Sequence, residues 1–330
     1  MKQYQYFFGV DISKKTVDIS FVWDRTTIHQ QFTNDAQGME NLMRWIEELK
    51  ADLSLTLFCM EATGLYCLTL TNFLADKNVD LWVEHAIQIK RSTALARGKN
   101  DKVDSLRIAQ YAIKNLDKLR LYKPISATLE KIKNLATLRE RIVDTQKRLL
   151  VPIKEFVDSG NQEMAKLLTK SIKKTIDALE KDLANIEKQI LITLEKDAEL
   201  NTKYHFAKSV VGIGFVTAIN LIIHTNGFTE MKETRALACY CGVAPFEYSS
   251  GTSIKGKTKV HHMANKKLKC NLHMASLSAV KLDADLKQYY ERKVAEGKNK
   301  MSVLNAVRNK LLARVLACVN KSKNYVNKVA

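Results

Sequence analysis

The run Leu53-Ser-Leu-Thr-Leu-Phe-Cys-Met60 is mostly apolar and reads as a central β-strand. Its surroundings leave few folds open. Upstream, Tyr4-Gln-Tyr-Phe-Phe-Gly-Val-Asp-Ile12 and Thr16-Val-Asp-Ile-Ser-Phe-Val-Trp23 read as strands, with Thr27-Ile-His-Gln-Gln-Phe32 as a third. The links between them are short enough for antiparallel pairing. Asn34 or Asp35 can cap a helix carrying Met39, Leu42, Met43, Ile46 and Leu49 at helical spacing. Downstream come Glu61, an Ala-Thr-Gly turn, a helix from about Leu65 to Asp76, a fifth strand over Asp80–Glu84, a helix with Ile87 and Ile89, and a last helix from near Asp101. The order is three strands, helix, strand, helix, strand, helix.

Carboxylates sit at telling places in that order. Asp11 lies near the end of the first strand and Glu61 at the end of the fourth. Arg97-Gly-Lys-Asn-Asp-Lys-Val-Asp104 places Asp101 and Asp104 three residues apart in a basic run. At a helix start they project from one face, one turn apart. Taken singly, each acid has a bland explanation. The pair on the helix complements its dipole, Asp11 caps a turn, and Glu61 is a solvated strand end. In an RNase-H-like sheet, however, the first and fourth strands are central neighbours and the late helix packs across them, so the four acids converge. Uncompensated, they would raise each other's pKa sharply. An all-oxygen donor set suits Mg²⁺ or Mn²⁺, and such ions assist phosphodiester chemistry. Lys99, Lys102 and Arg107 then stand where phosphates would be held.

Charge points to the same partner. The 330 residues carry 53 Lys+Arg against 35 Asp+Glu, a formal net charge of +18. That excess favours a polyanion, either nucleic acid or an anionic membrane. No apolar run approaches bilayer length, and the chain enters a strand-like segment at once, with no signal peptide visible. Nucleic acid is therefore the expected partner and the cytoplasm the expected compartment. The six cysteines are scattered and read as reduced thiols. Cys239 and Cys241 with His261 and His262 have the wrong spacing for zinc.

The composition of elements changes after residue 124, giving three expected domains: 1–124, 125–200 and 201–330. In the middle one, Leu168, Ile172, Ile176, Leu179, Leu183, Ile186 and Ile190 repeat every four or three residues. This predicts a long antiparallel helical hairpin or a coiled coil between subunits, with Pro152 and Asp158-Ser-Gly-Asn161 interrupting. In the third, Ala207-Lys-Ser-Val-Val-Gly-Ile-Gly-Phe-Val-Thr-Ala218 looks like a helix-hairpin-helix turn. There Gly212 and Gly214 would let backbone approach phosphate, or would serve only as a structural turn. Phe246-Glu-Tyr-Ser-Ser-Gly251 then leads into a dense basic stretch with Lys255, Lys257, Lys259, Lys266, Lys267 and Lys269. Ser250 is a turn residue on physics alone, in a polar loop; a hydroxyl so placed is also a reasonable phosphodiester nucleophile. The tail from Met301 to Lys328 reads as a basic amphipathic helix whose Arg308 and Arg314 contact phosphates or are solvated.

Three blocks carry a family resemblance: Phe8-Gly-Val-Asp-Ile-Ser-Lys14, Met60-Glu-Ala-Thr-Gly-Leu-Tyr66 and Lys99-Asn-Asp-Lys-Val-Asp-Ser-Leu-Arg-Ile-Ala109. In order and spacing they resemble the amino-terminal domain of the DEDD insertion-sequence transposases, relatives of the Piv invertase that include the bridge-RNA-guided recombinases. The family's four acids map onto Asp11, Glu61, Asp101 and Asp104. Gly242-Val-Ala-Pro-Phe-Glu-Tyr-Ser-Ser-Gly251 is similar to its carboxy-terminal motif, whose Ser before Gly is the nucleophile, here Ser250, with Ser249 adjacent and Ser253 a poorer match. A further basic element departs from the family pattern, with His262 for Lys, Ala264 for Gly and Lys269 for Arg; Asn265 and Leu268 fit it.

The resemblance implies an α/β RuvC-like catalytic domain, a coiled-coil middle and a mostly helical transposase domain. It implies an RNA-guided recombinase of donor and target DNA, working through phosphoserine with Mg²⁺ or Mn²⁺ in the nucleoid. It further implies a homo-oligomer, a dimer assembling to a tetramer, in which the acid and serine half-sites meet between subunits. Two alternatives are a RuvC-like nuclease or junction resolvase that uses water, and a catalytically silent nucleic-acid-binding protein.

Overall fold

The computed structural model describes residues 2–92, 100–250 and 254–326, and for Tyr248, Ser250, Ile254, Lys255 and Lys257 it describes the backbone alone. The chain divides into two compact units, Met1–Pro124 and Ile125–Ala330.

The first unit is built on a five-stranded sheet. β1 (Tyr6–Ile12), β2 (Thr16–Trp23) and β3 (Thr26–Thr33) form an antiparallel meander, followed by α1 (Ala36–Glu48). β4 (Thr56–Glu61) returns parallel to β1, and after α2 (Leu68–Asp76), β5 (Asp80–Glu84) adds parallel to β4. The strand order is β3-β2-β1-β4-β5. This is the RNase-H-like arrangement expected from the order of elements. α3 (Ala86–Ser92) and α4 (Asp101–Lys114) complete the unit. The central run is shorter as a strand than its apolar length suggests. Residues Leu53–Leu55 form a 3₁₀ turn whose first amides are capped by the Asp52 carboxylate. Likewise, α2 starts three residues later than the sequence indicates, behind a 3₁₀ turn at Gly64–Cys67.

Both faces of the sheet are covered. Phe8, Val10, Phe58 and Met60 face α1 and α2 in one core. Phe7, Leu57, Cys59 and Trp82 meet Ile108, Tyr111 and Ala112 of α4 in another. α4 lies directly on β1 at Gly9, where any Cβ would fall well inside van der Waals contact with the Ser105 carbonyl oxygen and the Ala109 amide nitrogen. Beside it, the buried Ser20 and Ser105 hydroxyls share a 2.7 Å hydrogen bond from β2 to α4.

The second unit opens with a helical hairpin, α5 (Ala127–Asp158) and α6 (Gln162–Glu195). Pro152 does not interrupt α5 as expected; it lies inside the helix. Leu129, Ile132 and Ala136 share a core with Ile186, Ile190 and Leu194, and Arg139 Nε donates to Glu187 Oε1 across the pair at 2.7 Å. α7 (Ala198–Lys208) and α8 (Phe215–His224) flank the glycine turn; α9 (Thr234–Tyr240) follows. β6 (Pro245–Ser250) and β7 (Ile254–Val260) pair as an antiparallel ribbon, and α10 (Lys266–Leu282), α11 (Ala284–Ala295) and α12 (Lys300–Asn320) close the unit. The tail's basic residues differ from expectation. Arg308 is 5% exposed, and its Nη2 lies 2.7 Å from His273 Nδ1. Arg314 pairs at 2.7 Å with the fully buried Asp283. Both are structural groups of the helical core rather than solvated cations.

The Gly9 contact yields a test. Gly9→Ala forces α4 off β1 and is expected to cost about 1–3 kcal/mol, the usual range for overpacking. The cost would be read from the urea midpoint at unchanged slope; a wild-type midpoint would show that α4 has room to spare.

Candidate active site

The register places carboxylates in a row across the sheet. Asp11 on β1 is directly opposite Asp18 on β2. β1 and β4 pair up to Val10 with Met60, so Glu61 follows beside Asp11. Glu61 in turn is opposite Glu84 on β5. By strand alternation all four share the face of Phe7, Cys59 and Trp82, which α4 covers. α4 begins at Asp101 with Asn100 as its cap, the Asn100 Oδ1 accepting from Lys102 N at 2.9 Å. Asp101 and Asp104 therefore stand in the first turn over the row.

Electrostatics shows that the groups feel one another. The half-buried Asp11 is raised from its ordinary value to about 6, first by burial and then by the charges of Asp101, Asp104, Glu61 and Asp18. The structure thus brings all four expected acids to one end of the sheet. Two further acids went unnoticed in the sequence. Asp18 is 4% exposed and is held by His29 Nε2 at 3.0 Å and Gln31 Nε2 at 2.9 Å. Glu84 accepts from the Tyr111 hydroxyl at 3.0 Å and from His85 N at 2.7 Å. Asp18 had a signal, a charge at an inward position of an apolar strand. Glu84 had one too, since it ends β5 as Glu61 ends β4.

Partners separate these acids into two sorts. The outer pair, Asp18 and Glu84, is hydrogen-bonded by the protein. Asp104 is bridged by Arg107 Nη1 at 2.8 Å. Among the described residues, the side chains of Asp11, Glu61 and Asp101 have no hydrogen-bond or ion-pair partner. The all-carboxylate donor set has the chemistry of a hard divalent cation site, and Asp11, raised first by burial and then by its acidic neighbours, has no ion-pair partner among the described residues. Among the described residues no three His, Cys, Asp or Glu groups are drawn together into a ready-made metal cage.

The expected phosphate-binding residues scatter more widely. Lys99 lies outside the described residues, as do Gly251 and Ser253. Lys102 is exposed on α4. Gly212 adopts φ +93°, and a Cβ there would crowd Ala275 and Ala279 of α10; helix packing requires this glycine. Gly214 caps α8 at φ −87° with open space beside it. Lys259 and Lys266 are exposed, Lys269 is half-buried, and Lys267 is engaged by Glu140 at 2.6 Å. Ser250 is not in a loop. Its backbone ends β6, paired with Ile254, where Pro245–Ser250 and Ile254–Val260 ladder antiparallel; Lys255 and Lys257 lie on the partner strand. Asn265 caps α10, its Oδ1 accepting from Leu268 N at 3.0 Å, and Leu268 is fully buried.

Comparison with known proteins accounts for both units. Residues 8–161 match the family model for IS110-type DEDD transposases, and residues 204–291 match the transposase IS116/IS110/IS902 family. The chain belongs to the IS110 transposase family. It is therefore an enzyme of a class that acts on DNA. The pilin gene-inverting protein of Moraxella bovis is 25% identical over 328 residues, covering 98% of each chain. The transposase for insertion sequence element IS1111A of Coxiella burnetii is 21% identical over 250 residues, covering 69% of this chain and 68% of its own. Among solved structures, T. thermophilus RuvC in complex with Holliday junction substrate is 9% identical with a TM-score of 0.29, covering 36% of this chain and 98% of that one. No described helix is long and apolar enough to cross a membrane.

The raised Asp11 makes the transposase's apo stability pH-dependent in a defined direction. Below the ordinary carboxylate pKa, near 4, the group is protonated whether the chain is folded or not. From there to about 6 the unfolded chain ionises it and the folded chain does not, so its contribution to stability falls as pH rises. Asp11→Asn removes this loss. In chelator, the variant's advantage should grow between these limits and level off above them, on the order of 1 kcal/mol after discounting for the half-exposed group. Denaturant midpoints that track wild type across that window would refute the assignment.

Proposed function

We propose that this transposase is a recombinase that cleaves and rejoins DNA strands, with a divalent cation held by Asp11, Glu61, Asp101 and Asp104 and with Ser250 as the nucleophile. The observation that carries the reading is the convergence of these four acids on one end of the sheet, where burial first and then the charges of Asp101, Asp104 and Glu61 raise the Asp11 pKa to about 6. Such a site repels phosphate unless a cation intervenes. Bound Mg²⁺ or Mn²⁺ would supply neutralisation of the phosphate charge at the point of strand cleavage.

The chain's own groups have distinct tasks. Asp11 and Glu61, fixed on neighbouring central strands, provide a rigid half of the donor set. Asp101 and Asp104 provide the other half from α4, with Arg107 holding Asp104 in place. Lys102 and the cations of the ribbon and of α10 hold backbone phosphates, as does the open amide end of α8 behind Gly214. At Ser250, the hydroxyl gives up its proton and the oxygen bonds phosphorus. The bond from phosphorus to one deoxyribose oxygen breaks, and that oxygen takes up a proton. Reversal onto another strand end rejoins the DNA. The motif around Ser250 supports this role through family resemblance.

Target choice by base pairing to a structured bridge RNA fits the net charge of +18 and the same resemblance. A homo-oligomer, a dimer building to a tetramer, is supported by the hairpin. Leu149, Leu168, Ile172, Ile176, Leu179 and Leu183 are left only half-buried by α5 and α6, as a seam with a further partner would be.

The decisive experiment is to trap the covalent intermediate. With the copurifying RNA sequenced and matched DNA supplied, wild type in Mg²⁺ should form a protein–DNA adduct that survives denaturation. Ser250→Ala should abolish it, and Asp11→Asn should lower strand exchange by at least about 10³-fold, the scale of losing a main electrostatic element of catalysis. Strand cleavage that persists in Ser250→Ala without an adduct would assign the nucleophile to water, as in a resolvase. An active Asp11→Asn would overturn the metal reading.

A further inference from the structure

The turns that follow Asp11 and Glu61 take no part in holding the cation. The segment after Glu61 runs Ala62-Thr-Gly-Leu-Tyr66 and is largely open to solvent. Leu65 is 71% and Tyr66 47% exposed, two large apolar side chains in succession four and five residues after Glu61. The segment is nevertheless held firmly. Cys67 Sγ lies 3.2 Å from Thr63 N and 2.9 Å from its hydroxyl. The Asn34 amide donates both its hydrogens, one to Tyr66 O at 3.0 Å and one to Ser13 O at 3.0 Å.

That second bond brings in the β1–β2 turn. Asn34 N also donates to Lys15 O at 2.9 Å. Lys14 and Lys15 are exposed, and among the described residues neither has a carboxylate partner. One asparagine thus ties together the turn that follows Asp11 and the turn that follows Glu61. The first offers two uncommitted cations and the second an exposed ring and an exposed aliphatic chain. Cations interleaved with an aromatic platform form the surface that binds an unstacked nucleic-acid strand, with phosphates on the lysines and a base on the ring.

We propose that this rim seats the DNA strand at the point of cleavage. Tyr66 stacks on a base flanking the reacting phosphate, Leu65 wedges beside it, and Lys14 and Lys15 hold the neighbouring phosphates. The inference rests on the DNA-cleaving role assigned to the adjacent acids. It adds the group that parts the strand from its stack and registers it over them.

The test uses the full chain in Ca²⁺ with a fluorescein-labelled, single-stranded oligodeoxynucleotide carrying 5-iododeoxyuridine. Irradiation should cross-link Tyr66, identified by peptide mass spectrometry. Tyr66→Leu keeps an apolar side chain and removes the ring, and should weaken binding about tenfold, the scale of one lost base stack. Tyr66→Phe should bind like wild type. The double variant Lys14→Gln/Lys15→Gln should flatten the dependence of log affinity on log salt by about 1.4, at roughly 0.7 per phosphate on a single strand. Unchanged melting temperatures would exclude misfolding, since all three side chains are exposed. Cross-links only at other residues, with variants binding within twofold of wild type, would overturn the proposal. Asp11→Asn separates the two readings: it should lose strand cleavage while keeping the Tyr66 cross-link. An Asp11→Asn protein that still cleaves would refute the metal role alone, whereas a cleaving wild type indifferent to the rim variants would refute the rim alone.

Discussion

The first unit depends on one contact, backbone against backbone, where α4 rests on β1 at Gly9. A helix usually stands off a sheet by the length of the side chains between them. Here the missing Cβ lets Ser105 and Ala109 descend onto the central strand. Two buried serines, Ser20 and Ser105, then replace what would be apolar packing with a short hydrogen bond. The consequence reaches one turn further along the helix. Asp101 and Asp104 are lowered toward the strand end that carries Asp11, near enough for their charges to add to burial in raising its pKa. A bulkier strand residue would lift the helix and open the site. The geometry of the acids is thus a product of the fold's tightest seam.

Such proximity costs stability, and the way the cost is distributed is informative. The outer acids of the row are hydrogen-bonded by the chain itself, Asp18 by His29 and Gln31, Glu84 by Tyr111 and His85. The same solution was open to the inner ones, since the chain has an excess of cations. Instead, among the described residues, Asp11, Glu61 and Asp101 are left without partners. Local rules of stability are broken in this way where a site is reserved for something that comes and goes. The large apolar cores on both faces of the sheet offset the penalty.

Much of this was legible in the sequence, because period and order suffice for it. Apolar, aromatic and β-branched runs marked the strands, alternation among them, and three-to-four spacing marked α1 and the long hairpin. Element order then implied the sheet, and with it the meeting of Asp11, Glu61, Asp101 and Asp104. What stayed hidden depends on register or on contacts between distant elements. Asp18 becomes a neighbour of Asp11 only once the two strands are paired residue by residue. Gly9 looks like any strand glycine until a helix is laid on it. Arg308 and Arg314 sit in a basic helix and look solvated, yet His273 and Asp283 wait for them on other elements. Ser250 looks like loop, since Ser-Ser-Gly-Thr-Ser has no strand period; the pairing comes from Ile254–Val260 on the far side of the turn. Pro152 falls inside α5, where the removed hydrogen bond is one of many in a long helix.

A strongly basic chain with a strongly acidic centre poses a problem for any phosphate that must reach it. At long range the net positive charge draws nucleic acid in, an attraction that salt screens over about 8–10 Å. At short range Asp11 and Glu61 push the phosphate away, and being half-buried they are screened far less. Two devices would reconcile these opposing fields. Lysines at the rim, on the turn directly after Asp11, can hold the phosphates on either side of the one that must approach. A divalent cation among the carboxylates would reverse the sign of the field at the centre itself. Neither device suffices alone. Rim cations without a central cation would hold the strand just short of the acids, and a central cation without the rim would bind phosphate in no fixed register. The Asn34 side chain, bonded to the turns after both Asp11 and Glu61, would be the physical link between the two.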